Sequence, residues 1–135
     1  MTRKIVTLLT LAACAFTSAA LTSGAMAADR CFYSDRVDDW SASDNDQTVY
    51  LRVNGSDYYQ IDLPTPIKQL SAPSRNLQVG SRDGRICQAR DLNLGLAVAP
   101  NMTLPLRAAK LTQLSAEEIA EIGPENLPGR HYRRH

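Results

Sequence analysis

The chain has 135 residues, 44% of them hydrophobic, and a formal charge of +1. So small a net charge excludes an overall electrostatic drive toward nucleic acid. Once a leader is set aside, about a hundred residues remain. That is enough for one hydrophobic core and too few for two.

Residues 1–27 read as a secretory signal peptide. Arg3 and Lys4 form a basic start, Ile5 to Ala20 is apolar and free of charge, and Ala25, Met26 and Ala27 make a small-x-small cleavage site. The expectation is export to the periplasm or beyond. No transmembrane span is expected in the mature chain, because the apolar run lacks charged or aromatic anchors on its far side. A second reading sits inside the leader. Leu11, Ala12, Ala13 and Cys14 resemble a bacterial lipobox, whose cysteine would carry a lipid anchor. Against it, the apolar run before Cys14 is short, and the residues after Cys14 stay apolar. Removing Arg3 and Lys4 with the leader leaves 13 basic and 14 acidic residues, a charge of about −1.

Residues 28–122 are expected to form a single β-rich domain, with 123–135 as a flexible basic tail. Cys31 and Cys87 are the two cysteines left after cleavage. An even pair in an oxidising compartment reads as a disulfide, and two buried thiols are the alternative. Ser34 to Trp40 looks like a short helical turn. Ser34 can cap it, Asp35 suits its positive end, and Val37 and Trp40 share a face three residues apart. Trp40, the only tryptophan, either plugs one end of the core or stacks against a carbohydrate. Ser41 to Gln47 is a polar loop. Counting a calcium loop from Asp44, Val49 stands where the turn glycine belongs and Gly55 where the bidentate glutamate belongs, so metal binding is not expected.

The clearest signal lies in the next sixteen residues. Thr48 to Val53 and Tyr58 to Leu63 each alternate with a period of two, and Asn54-Gly55 supplies the positive φ angles of a tight reversal. An antiparallel hairpin is expected. Val49, Leu51, Val53, Tyr59, Ile61 and Leu63 should face the core. Tyr50, Arg52, Tyr58, Gln60 and Asp62 should face water. Aromatics on a wet face either stiffen the sheet as cross-strand pairs or mark a binding surface. Pro64 and Pro66 make a stiff exit, Ile67 to Leu70 a short helix or turn, and Leu77 and Val79 a strand. Asp83-Gly84 reads as a hairpin turn, with Ile86-Cys87 starting the returning strand. Leu92, Leu94, Leu96 and Val98 alternate again. Leu104 and Leu106 suggest a last strand, held to an edge or bulge by Pro105. Ser115 and Glu118 form a capping box for a short helix that Gly123-Pro124 stops. The fold class expected is mainly β: a small antiparallel barrel or curved sheet with short helices near either end and one disulfide.

The order of Cys31-Phe32, Val37 with Trp40, the hairpin strands, Leu70, Gly84 to Cys87, and Leu114 to Glu118 resembles a family of small exported proteobacterial proteins known as a domain of unknown function. The resemblance covers about Arg30 to Glu118. It implies export and fold and brings no activity. Members of that family often carry two more cysteines, at places held here by Ile67 and Leu104. The resemblance therefore implies a second disulfide exchanged for a hydrophobic contact.

Little catalytic chemistry is legible. The only histidines, His131 and His135, lie in the tail, so a Ser-His arrangement in the body is absent. No zinc spacing and no phosphate-cradling glycine loop appears, and no cofactor is expected. A carboxylate pair from Asp35, Asp38, Asp39, Asp62, Asp83 or Asp91 could form only in space. Two functions are carried forward. One is a non-enzymatic module that binds an envelope protein or surface polymer through Tyr50, Arg52 and Tyr58 and through exposed sheet edges. The other is a small-ligand binder or weak hydrolase built on acidic loop residues and Trp40.

Overall fold

The computed structural model describes residues 30–129. The expected signal peptide, Cys14 and the basic residues 130–135 lie outside them. Nine strands and one α-helix run in order: β1 Phe32–Tyr33, β2 Val37–Ala42, β3 Thr48–Val53, β4 Asp57–Asp62, β5 Asn76–Gly80, β6 Arg85–Ile86, β7 Asn93–Ala99, β8 Met102–Leu106, β9 Lys110–Gln113 and α1 Ala116–Ile122. They form a four-stranded sheet in the order β2-β3-β4-β9, a three-stranded sheet β5-β7-β8, and the pair β1-β6. Every pairing among them is antiparallel.

The β3–β4 hairpin stands as expected. Val49 lies opposite Ile61 and Leu51 opposite Tyr59. Asn54 and Gly55 both take positive φ, the left-handed region that a glycine enters without strain. Val49, Leu51, Val53 and Ile61 are fully buried against Leu77, Leu94 and Leu96 from the three-stranded sheet. One apolar cluster therefore lies between the two sheets, and Phe32 and Ile86 of the short pair complete it. The Phe32 ring meets Tyr59 at a centroid distance of 4.5 Å.

Cys31 and Cys87 are bonded, with Cα atoms 4.2 Å apart. The bond sits directly beside the β1–β6 pair, where Phe32 faces Ile86. It marks an oxidising, non-cytoplasmic setting. No helix among the described residues is long and apolar enough to cross a membrane.

Several expectations are corrected. The helical turn ends at Arg36 as a single 3₁₀ turn, and Val37 to Ala42 is a strand. Val37 and Trp40 still share the core face because a bulge at Asp38 inserts one residue between them. An odd spacing thus mimicked helical periodicity. Asp83-Gly84 does not join two neighbouring strands of one sheet. β5 pairs with β7, while β6 leaves to pair with β1 under the disulfide. The strand at Leu104 is an edge as Pro105 requires, but β9 comes after it and pairs with β4. Ile67 packs on the core, whereas Leu104 is 40% exposed and belongs to neither apolar cluster.

The largest correction concerns the outer face of the four-stranded sheet. Tyr50 is buried with Leu114 and Leu127, and Tyr58, Ile119 and Ile122 pack around them. The helix and the segment after it fold back over the face expected to be wet. The domain accordingly runs past residue 122: Leu127 is 2% exposed, and Pro128 is among the fully buried side chains.

Candidate functional site

Two features decide what the surface can bind: an open seam along β2 and the covered face behind it. β2 is an edge strand, paired only with β3. Trp40 lies opposite Leu51 and Ser41 opposite Tyr50. Alternation therefore sends Trp40 and Ala42 toward the core side, and Asp39 and Ser41 toward the outer face. Trp40 is half-buried and packs on the core at the rim of the sheet. It closes that end of the core, and it also lines a groove of about 470 Å³.

This groove gathers residues distant in sequence. Trp40, Ser41, Ala42 and Asp44 come from β2 and the loop after it. Leu70, Ser71 and Arg75 come from the connection into β5, and Glu125 and Asn126 from the C-terminal segment. Its walls are fixed by hydrogen bonds. Asp46 accepts from the Ser71 backbone N–H at 2.9 Å and from the Ser71 hydroxyl at 2.8 Å. These bonds hold the Asp46 carboxyl below its ordinary pKa. The Ile67 N–H donates to the Asp46 carbonyl at 2.8 Å. Arg75 donates through Nη1 to the Val98 carbonyl and through Nη2 to Gln69 Oε1, both at 2.7 Å. The Ser41 hydroxyl donates to the Asn126 carbonyl and pins the C-terminal segment along the rim.

On the outer face, that same segment covers the residues expected to bind. Tyr50 is 9% exposed. Burial, and next the Asp62 charge, pushes its phenol above the ordinary tyrosine value. Tyr58 packs against the same cluster. Arg52 lies beneath Gly129, where an added Cβ would collide with Nη1. Gly129 also has a φ of +85°, so only glycine fits there without strain. Tyr50, Arg52 and Tyr58 are therefore brought together, but as the floor beneath the chain's own C-terminal segment. Of the four binding candidates, Trp40 lines an open groove.

Four of the acidic residues considered for catalysis are engaged by nearby donors. The Gly55 N–H donates to Asp38 and the Trp40 backbone N–H to Asp39. Asp91 accepts from the Cys87 N–H at 3.0 Å and the Gln88 N–H at 3.1 Å, and Asp62 from Gln60 Nε2 at 2.9 Å. They serve backbone and neighbouring side chains. No group of three or more His, Cys, Asp or Glu among the described residues could hold a metal. Asp44 and Asn45 form a turn, in which the Gln47 N–H donates to Asn45 Oδ1 at 3.0 Å.

No family model, no curated protein and no solved structure matches the chain. The resemblance to the exported family therefore stands on the quoted residues alone. Sequence reading missed Ser71, Arg75, Glu125 and Asn126 as site residues, because they sit in irregular segments that no periodicity marks. The one signal available was the tryptophan, a large aromatic in a polar stretch.

Proposed function

We propose that this is an exported, disulfide-bonded, non-enzymatic binding domain whose ligand site is the groove at Trp40. The observation that carries the reading is the convergence of Trp40, Asp44, Arg75 and Asn126, from three separate stretches, around one open groove. A groove of this size falls within the range that holds small ligands. The Cys31–Cys87 bond supports a periplasmic or secreted location, as does the signal-peptide pattern of residues 1–27. A non-catalytic role rests on the body's lack of histidine and on carboxylates already engaged by neighbouring donors.

The test uses the single tryptophan as its own reporter. The mature, oxidised protein is titrated with a broad panel of envelope glycans, peptides and small metabolites while Trp40 emission is monitored. Saturable quenching or a blue shift with at least one class of compound is expected. A flat response across the panel overturns the reading. A second reading, docking of a protein partner, is favoured by edge strand β8, where Met102 is 60% and Leu104 40% exposed. Leu104→Lys should then abolish capture of that partner from cross-linked envelope while Trp40 emission stays unchanged.

A further inference from the structure

The cleft does not stop at Trp40. A second groove of about 330 Å³ lies against the same side chain, lined by Val37, Asp38, Asp39, Asn76, Leu77 and Val79. Both grooves are lined on one side by β2 or the loop after it and on the other by the chain from Leu70 through β5, with Glu125 and Asn126 joining the first groove and Ser34 the second. Both β2 and β5 are edge strands of their respective sheets. The cleft is thus the unclosed seam between the two sheets, with Trp40 at its middle. β2 has 6 residues, which at about 3.3 Å each gives a wall of about 20 Å. Such a length suits an extended ligand of several units rather than a compact metabolite.

The wall chemistry narrows the class. Several donors that line the seam are consumed: Ser41 by the Asn126 carbonyl, Ser71 by Asp46, and both Arg75 Nη groups by Val98 and Gln69, whereas Arg75 Nε has no hydrogen-bond partner. Asp38 and Asp39 each take one backbone N–H, and an ionised carboxylate has about four acceptor sites. Asp44 adds a third carboxylate. A fitting ligand brings many donors along its length, carries positive charge, and offers a flat C–H face to the indole. An added β-strand fits less well. The Trp40 backbone N–H is already taken by its neighbour Asp39, and the bulge at Asp38 breaks the row of backbone groups that strand addition needs.

Resting on the reading of Trp40 as a binding site, we infer that the seam is a multi-subsite cleft for a linear chain of amino sugars, spanning both sides of the indole. The experiment is calorimetric titration of the full mature protein with glucosamine oligomers of two and four units, their N-acetylated counterparts, and spermine, with Trp40 emission recorded in parallel. The expected result is at least tenfold tighter binding of the glucosamine tetramer than of the dimer, and a tenfold loss on Asp38→Asn with Asp39→Asn. Both substitutions keep an acceptor oxygen, so the two backbone contacts survive. Equal affinity for dimer and tetramer overturns the extension past Trp40. Equal affinity for spermine and the tetramer overturns the sugar. No binding of any oligomer, with Trp40 still responding to another compound, overturns the ligand class while sparing the site. Silence of Trp40 to every compound overturns the site itself.

Discussion

Asp46, Tyr50 and Tyr59 carry the protein's clearest pH signatures. The Asp46 carboxyl is held down by its two bonds from Ser71. A depressed folded value means that its stabilisation is complete above the unfolded carboxylate range, near 3.8. That stabilisation is lost as pH falls through the lower, folded value. Asp46→Asn should therefore destabilise the protein at neutral pH, and the gap to the parent should close in strong acid, read by urea unfolding at a series of pH values. Tyr50 and Tyr59 behave in the opposite sense. Burial is the first cause of the raised value in each, with the Asp62 charge second for Tyr50 and the Asp57 charge second for Tyr59. Raised folded values mean that their contribution is intact below about pH 10 and is lost as pH rises through the folded values. Spectrophotometric titration of the tyrosinate band should show two late steps, and Tyr50→Phe should remove one of them. A wet Tyr50, as alternation alone suggests, would titrate at the ordinary tyrosine value.

At the scale of elements, the segment after α1 carries the sharpest prediction. Leu127 is 2% exposed in a cluster with Tyr50 and Leu114. Leu127→Ala should cost about 2–5 kcal/mol in chemical denaturation, as buried leucine truncations do. A flexible tail would give no change. The hairpin and the capped helix were legible because their signals are local. Alternation, Asn54-Gly55, and the reciprocal bonds of Ser115 and Glu118 each lie within a few residues. The covered face was not legible, because alternation says which residues share a side and nothing about what returns to cover it. Leu127-Pro128 sits within a polar, Gly- and Pro-containing stretch that composition assigns to a tail. β2 was misread for a related reason: its bulge shifted the pattern by one residue. The site was legible only as far as Trp40, since its other walls come from connections whose positions depend on Asp46 and Ser41 gripping partners far along the chain.

Over the whole molecule, stability rests on a core between two modest sheets, a smaller apolar cluster on the outer face and one covalent tie. The disulfide joins residues separated by 56 positions. For a loop of that length the chain-entropy model gives about 4 kcal/mol. Replacing Cys31 and Cys87 together by serine should lower the unfolding free energy by about that amount, measured in urea against the oxidised parent. A small domain has few kcal/mol to spare. That the core would form from the hairpin and the Leu94–Leu96 strand was readable from periodicity. That the two sheets remain unclosed between β2 and β5 was not, since closure depends on strand order and strand order on long-range pairing. The same bond has a consequence for the cleft. The covalent ring from Cys31 to Cys87 encloses all of β2 and β5, and hence both long walls of the seam. Cys31 precedes both walls in the chain and Cys87 follows them, so the bond closes only once both walls have emerged. Ring closure thus marks the moment at which the walls are committed to face each other. A chain that never meets an oxidant must hold them together through side-chain packing alone.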